Sequence, residues 1–192
     1  LMTETKVITK VLAGVSNLIY NPTLGKIMQR NLELLGAPNF TEKERIYAKK
    51  MQATMSEDDI ATAYEQAGID FVKNLTLADS IVPYDNPATG MAGSTDVADV
   101  SWVVPTVQLW GANYAIGTPF HSWQMTAQGK SSIAIKGMTH AATVMAATAV
   151  DLLVNKDLRE KAWSDLTKAI SPKGYISPLI RNSKPPIRDM VP

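Results

Sequence analysis

From Ser131 to Asn155 the chain runs through 25 residues dominated by Ala, Met, Val and Thr with no proline. That stretch predicts one long, largely buried helix, about 37 Å from end to end at about 1.5 Å per residue. It does not read as a membrane span. A bilayer needs roughly 18–20 consecutive apolar residues, and the best candidate, 138–154, carries His140, Asp151 and several threonines. No transmembrane helix and no membrane partner are expected.

Other elements announce themselves by their ends. Asn21-Pro22 reads as an N-cap with proline in the first turn, and Leu24, Ile27, Met28, Leu32 and Leu35 recur at helical spacing before Gly36. Thr41 and Glu44 make a capping-box pattern opening a second helix through about Met55. Ser56 and Asp59 repeat it ahead of Ile60, Ala63 and Ala67. Asp157 to Ile170 predicts an amphipathic helix. Two β-branched runs point the other way: Thr5 to Val15, and Ser101 to Trp110 broken by Pro105, both read as strands. Residues 83–95, dense in Pro, Gly, Asp, Asn, Ser and Thr, predict an irregular loop. The order of strands and helices argues α/β or α+β. With five prolines, 171–192 predicts an extended tail.

At 192 residues the chain fits one domain with a sizeable core. Its net charge of +1 is spread without a basic block, which gives no footprint for nucleic acid. Zero cysteines exclude disulfides, thiolate nucleophiles and Cys-rich zinc sites and favour a reducing compartment, the cytoplasm. The chain starts on Leu1 with strand-like residues close behind and no signal-peptide pattern, which suggests a piece cut from something longer or a shortened gene product.

The chemistry-bearing residues are few. His121, one of two histidines, sits in Gly117-Thr118-Pro119-Phe120-His121-Ser122-Trp123-Gln124, where a turn should project a neutral imidazole able to bind a metal. A lone loop histidine is more often a surface group. Gly93, Ser94, Thr95 and Asp96 supply a flexible glycine, two hydroxyls and a carboxylate that would suit a substrate carboxylate or amide. Their bland reading, a Ser/Thr or Asx turn capping the next element, is the commoner one. Asp96 and Asp99 are three apart and could share a helix face as an acid–base pair, though caps and solvated charges are far more usual. His140, within the long helix, reads as a buried, hydrogen-bonded structural histidine. Trp102, Trp110, Trp123 and Trp163 read as core before they read as a pocket for a flat substrate. No phosphate-binding loop, dinucleotide fingerprint, H-E-x-x-H or nucleophile elbow stands in a convincing context.

Taken together, residues 93–106, from Gly93-Ser94-Thr95-Asp96 to Val104-Pro105-Thr106, and the 117–124 segment resemble the M20 family of metal-dependent peptidases and amidohydrolases. Lys136-Gly137-Met138-Thr139-His140-Ala141-Ala142 and Gly36-Ala37-Pro38-Asn39-Phe40-Thr41 resemble the same relatives. The resemblance implies an α/β catalytic domain holding two divalent metals, zinc or manganese, and split in sequence by an inserted lid. On that reading 1–20 is a remnant of the lid or dimerisation domain, 21–170 the C-terminal part of the catalytic domain and 171–192 the tail. The N-terminal metal-binding part and most of the lid are absent. The resemblance makes His121 a metal ligand and Gly93 to Asp96 a loop near the substrate, with no catalytic residue in this chain. The family usually has glycine before the histidine, where this chain has Phe120.

The implied reaction is hydrolysis of an aminoacyl or aroyl amide such as p-aminobenzoyl-glutamate by water activated between two metals. One histidine is too few ligands for such a site, so the isolated chain is expected to be inactive and to bind no metal tightly. Two rivals stand beside this reading. One is a noncatalytic interaction or scaffold domain derived from the hydrolase fold; the other is a subunit completed by a second copy or another chain.

Overall fold

The computed structural model describes residues 5–9, 11–85, 93–179 and 183–184. Among these the elements are helices: α1 Pro22–Leu35, α2 Glu42–Gln52, α3 Glu57–Ala67, α4 Val97–Ser101, α5 Trp123–Gln128, α6 Ser132–Val154 and α7 Lys156–Ile170.

The caps fall where the sequence put them. Asn21 Oδ1 accepts from Leu24 N at 3.1 Å with Pro22 in the first turn. Thr41 and Glu44, then Ser56 and Asp59, close reciprocal capping boxes on α2 and α3. Each such cap satisfies N–H groups that a helix start otherwise leaves bare, worth about 1 kcal/mol. Asn155 serves two helices. Its N–H donates to Asp151 O at 3.1 Å to end α6, and its Oδ1 accepts from Leu158 N at 3.2 Å to begin α7.

α1, α6 and α7 pack together through polar clamps as much as through apolar contact. Asn21 Nδ2 reaches the Ala162 carbonyl of α7 at 2.9 Å, and the Thr23 hydroxyl donates to Asp165 at 2.5 Å. Asn31 donates to Thr148 at 3.2 Å and to Asp151 at 2.8 Å on α6, where Arg30 also pairs at 2.7 Å. A second core joins α2 and the start of α6 to the irregular segments around Leu77 and Ala115, with Phe40, Ala48, Met51 and Ile133 buried together. Gly137 makes that junction close: a Cβ there would stand 2.5 Å from the Ala112 carbonyl oxygen. α6 therefore lies against the 112–113 backbone at a distance only glycine permits.

The predicted α/β architecture is overturned, because no strand or sheet occurs among the described residues. A β-branched run becomes a strand only when a second backbone completes its ladder. None of the described residues from Lys6 to Val15 lies in a strand. The following segment is held by side chains instead: Ser16 N donates to Asp99 Oδ1 at 3.3 Å, Ile19 N to Ser101 Oγ at 2.8 Å, and Trp102 Nε1 to the Asn17 carbonyl at 2.8 Å. In the second predicted strand Ser101 closes α4. Val103 N and Val104 N still fold back on Val100 O at 3.0 Å, and Pro105 then removes a donor.

The long helix forms, but it is far less buried than its composition predicts. Only 17% of its most apolar 18 residues is buried, and by length and mean hydropathy of 1.3 it could cross a membrane. Its polar side chains are nonetheless engaged by protein: Lys136 with Glu44, His140 with Gly36 and Asp151 with α1. The tryptophans also differ from expectation. Trp110, Trp123 and Trp163 are exposed and Trp102 is half-buried. Of the predicted loop, 83–85 and 93–95 are irregular, and 86–92 lie outside the described residues, as do 180–182 and 185–192 of the predicted tail.

Glu44 links the capping box to α6. Burial pushes its carboxyl up. The Lys136 ammonium at 2.7 Å, the Thr41 N–H and the Ser132 and Thr41 hydroxyls outweigh that and hold it at about 2, below an ordinary 4.5. A carboxyl depressed on folding stabilises fully above its unfolded pKa and loses that contribution as pH falls toward its folded one. Glu44→Gln is expected to cost about 1–2 kcal/mol at pH 7, since water still reaches Lys136. It should also flatten the loss of stability between pH 4.5 and 2. Urea midpoints measured across that range check both.

Candidate functional site

The segment carrying His121 is an irregular turn braced from three sides. Ile116 N donates to the Thr76 carbonyl at 3.0 Å, and Gln52 Nε2 bridges the carbonyls of Ile116 at 3.0 Å and Leu75 at 3.2 Å. Gly117 turns with φ +89, and a Cβ there would meet Ile60 Cγ1 at 2.7 Å and Ile60 Cα at 2.9 Å. Both the backbone conformation and the approach of α3 require glycine. The Thr118 hydroxyl donates to Ala115 O at 2.7 Å, and the Ser122 hydroxyl to Pro119 O at 2.6 Å while capping α5 through Met125 N.

Gln128 locks the turn from beneath. Fully buried at the end of α5, it accepts from Ala115 N at 2.9 Å and donates to the Thr118 hydroxyl at 2.9 Å and the Gln124 carbonyl at 3.1 Å. Reading the sequence misses this role. Gln128 belongs to a six-residue helix with no apolar period, and its partners become neighbours only once the turn has formed.

On this base His121 adopts φ +59, the left-handed region that non-glycine residues enter at about 1–2 kcal/mol. Its side chain is exposed, and it has no hydrogen-bond or ion-pair partner among the described residues. Strain of this kind persists where surroundings over-determine the backbone, and it marks candidate functional positions. Phe120 is half-exposed and packs edge-on against exposed Trp110, ring centroids 6.1 Å apart, and exposed Trp123 follows at the start of α5. The turn thus offers an unengaged imidazole beside an aromatic surface.

The second predicted region is built differently. Gly93, Ser94 and Asp96 are exposed, and a Cβ at Gly93 would meet nothing within 4 Å. Thr95 makes a local turn, its hydroxyl accepting from Val97 N at 3.3 Å and its carbonyl from Ala98 N at 3.0 Å. Asp99 is committed elsewhere. It accepts from Ser16 N and from the Tyr175 hydroxyl at 3.0 Å. The Ser16 hydroxyl chiefly, helped by Tyr175 and the Ser16 N–H against partial desolvation, holds its carboxyl below the usual range. A carboxylate anchored and kept ionised in this way is a poor proton donor, and Asp96 and Asp99 form no acid–base pair. No hydrogen bond or ring contact joins this region to the His121 turn among the described residues.

His140 has the hydrogen-bonded structural role expected of it, though it is half-buried and not buried. Its Nε2–H donates to the Gly36 carbonyl at 2.6 Å and ties α6 to the end of α1. Among the described residues no three His, Asp or Glu side chains gather where they could hold a metal ion. The groups around His121 therefore do not by themselves fit a zinc or manganese centre.

The resemblance read from the residues is supported by comparison. The chain is 35% identical over 195 aligned residues, 96% of its length, to a p-aminobenzoyl-glutamate hydrolase subunit of Escherichia coli (strain K12), which is consistent with the C-terminal portion of an M20-type protein. It spans 40% of that relative's length. No protein-family model matches the chain, and no solved structure matches it.

The bracing makes the turn sensitive at the residues that hold it. Gln128→Ala orphans the buried Ala115 N–H and is expected to cost about 1–3 kcal/mol. Gly117→Ala should cost at least about 1–2 kcal/mol from its backbone conformation alone. His121→Gly should run the other way and gain about 1 kcal/mol by relieving the left-handed strain. Denaturant unfolding of the three variants checks both the magnitudes and the opposite sign.

Proposed function

We propose that the chain is part of a metal-dependent amidohydrolase that cleaves an aminoacyl or aroyl amide such as p-aminobenzoyl-glutamate, and that it contributes one imidazole, His121, to the site. The observation that carries this reading is similarity along nearly the whole chain to a protein named as a p-aminobenzoyl-glutamate hydrolase subunit. The geometry supports it with a solvent-facing imidazole held in a strained conformation by a dedicated brace. The Trp110–Phe120 pair beside it suits a flat aroyl group, for which aromatic stacking is a ready source of affinity.

Under this proposal His121 is one ligand of a divalent zinc or manganese ion whose other ligands lie outside the described residues. Gly93 to Asp96 form a loop that meets the substrate once those parts are present. The relative's being named a subunit fits a chain that needs a partner, either another polypeptide or a second copy, to complete its site. A cysteine-free chain suits the reducing cytoplasm, where we place the protein. Alone, the 192 residues should neither hold metal tightly nor hydrolyse amides.

The test is made in the assembled hydrolase. His121→Ala is expected to lower turnover of p-aminobenzoyl-glutamate at least about a hundredfold, the scale of losing a ligand or its orienting shell, with the melting temperature retained. His140→Ala, which breaks the Gly36 bond, should lower the melting temperature and leave turnover per folded molecule close to wild type. Wild-type hydrolysis by the His121 variant would end the ligand assignment. Absence of hydrolysis in the wild-type assembly, with no metal retained, would favour a noncatalytic scaffold.

A further inference from the structure

Thirty consecutive residues, from Val100 to Gly129, pass without an Asp, Glu, Lys or Arg in a chain that is 19% charged. His121 lies within that stretch, and three of its aromatic side chains stand in water: Trp110 is 67% exposed, Trp123 61% and Phe120 51%. Rings of this size forgo a large hydrophobic stabilisation when nothing covers them. Trp110 and Phe120 are also arranged. They meet edge to face, with centroids 6.1 Å apart and planes at 74°. Two planes so nearly perpendicular leave a corner where a third flat ring can lie parallel to one and edge-on to the other, the two dispositions that aromatic pairs favour. Phe120 immediately precedes His121 in the turn that Gln52 and Gln128 hold, so one brace sets the backbone of both.

These features separate the two acyl classes that the hydrolase reading leaves open. An aminoacyl group brings an ammonium, and a cation taken out of water is best met by a carboxylate, of which the stretch around His121 has none. An aroyl group is flat, apolar and uncharged. It asks for ring faces and ring edges, and the corner beside His121 supplies one of each.

We propose that Trp110 and Phe120 are specificity-determining residues: they receive the aromatic ring of an aroyl amide in their corner and so select aroyl over aminoacyl and saturated acyl groups. This rests on the hydrolase reading and deepens it by committing the site to one acyl class. Neither residue takes part in the bond-breaking step. Their contact is with the part of the substrate that does not react, and its energy serves to place the scissile amide near the His121 turn.

The test uses the assembled hydrolase and three glutamate amides: p-aminobenzoyl-glutamate, cyclohexanecarbonyl-glutamate, whose six-membered ring is saturated, and leucyl-glutamate. Ratios of kcat/KM between substrates are compared across variants, so that intrinsic reactivity cancels. Trp110→Leu and Phe120→Leu should each lower the p-aminobenzoyl to cyclohexanecarbonyl ratio about three- to tenfold, the scale of one aromatic contact. Trp110→Phe and Phe120→Tyr keep a ring in place and should hold the ratio within about twofold. Trp163→Leu, at an exposed tryptophan on α7, should leave it unchanged. An unchanged ratio in both leucine variants overturns the proposal. So does an equal fall on all three substrates, which would make the rings packing for the rest of the assembly. A wild-type preference for leucyl-glutamate also overturns it, the result expected if the ring faces held an ammonium or if Glu57 and Asp58, at the start of the helix against Gly117, paired with one. Calorimetric titration with p-aminobenzoate separates the corner from the chemistry. Binding that weakens at least about threefold in the leucine variants, in an assembly that hydrolyses none of the amides, supports the corner and removes the hydrolase reading. Hydrolysis with an unchanged ratio does the reverse, and an assembly that neither binds p-aminobenzoate nor hydrolyses the amides overturns both.

Discussion

The Glu44–Lys136 pair is where the fold's separate parts become one. Glu44 is 6% exposed and its carboxylate accepts from Thr41 N at 2.7 Å, the Thr41 hydroxyl at 2.8 Å and Lys136 at 2.7 Å. A buried carboxylate is costly unless its lone pairs are filled, and here the start of one helix and the flank of another fill them together. Lys136 also donates to the Asn39 carbonyl at 3.0 Å, so the 36–40 connection is fixed by the same ammonium. One residue along, Gly137 presses onto the 112–113 backbone, and three further on His140 holds Gly36. The α1–α2 connection, the start of α2, the middle of α6 and the approach to the His121 turn thus share one polar hub.

Backbone ladders knit distant segments in a sheet protein, and here side chains take over that task. Asp99, Ser101 and Trp102 pin the 16–19 segment, Asn21 joins two helices while capping one, and Gln52 and Gln128 grip the turn. Such bonds are specific because each needs one residue type at one position, and where they are buried, as at Asn21 and Gln128, losing one orphans a polar group. Within 93–106, of which the resemblance places only Gly93 to Asp96 near substrate, the residues from Asp99 to Trp102 spend their polar atoms on architecture. The exposed residues before them are left to face outward.

Local signals carried most of the helical layout. Asn21-Pro22, Thr41 with Glu44 and Ser56 with Asp59 encode helix starts within three or four residues, and the structure places caps at each. What was illegible depends on separation in the chain. Glu44 reads as a capping residue, and nothing nearby tells that its carboxylate meets a lysine 92 positions away. The strand readings failed for a related reason. Val7, Ile8, Val11 and Leu12 are of types that suit a pleated, half-buried surface, but they stand exposed outside any strand, because propensity cannot say whether a second strand is there to receive them. The exposed half of α6 is the same lesson in a helix, since composition shows what a surface prefers to touch and not whether this chain supplies it. His121 was legible as a scarce imidazole in a turn, whereas its left-handed backbone and the glutamine beneath it emerge only in three dimensions.

That backbone bears on how a site assembled from separate parts would work. An imidazole on a free loop samples many directions, and a partner bringing further ligands would have to order it on arrival, at a cost in conformational entropy. Here the ordering is done beforehand. Gly117 against Ile60, Gln52 across Ile116 and Leu75, and Gln128 under Ala115 and Thr118 fix the turn whether or not anything binds. The left-handed backbone at His121 sits among these contacts. On the proposed reading the incoming polypeptide meets a backbone already set at His121, so its binding energy goes to orienting the free imidazole and closing the site instead of to ordering the turn.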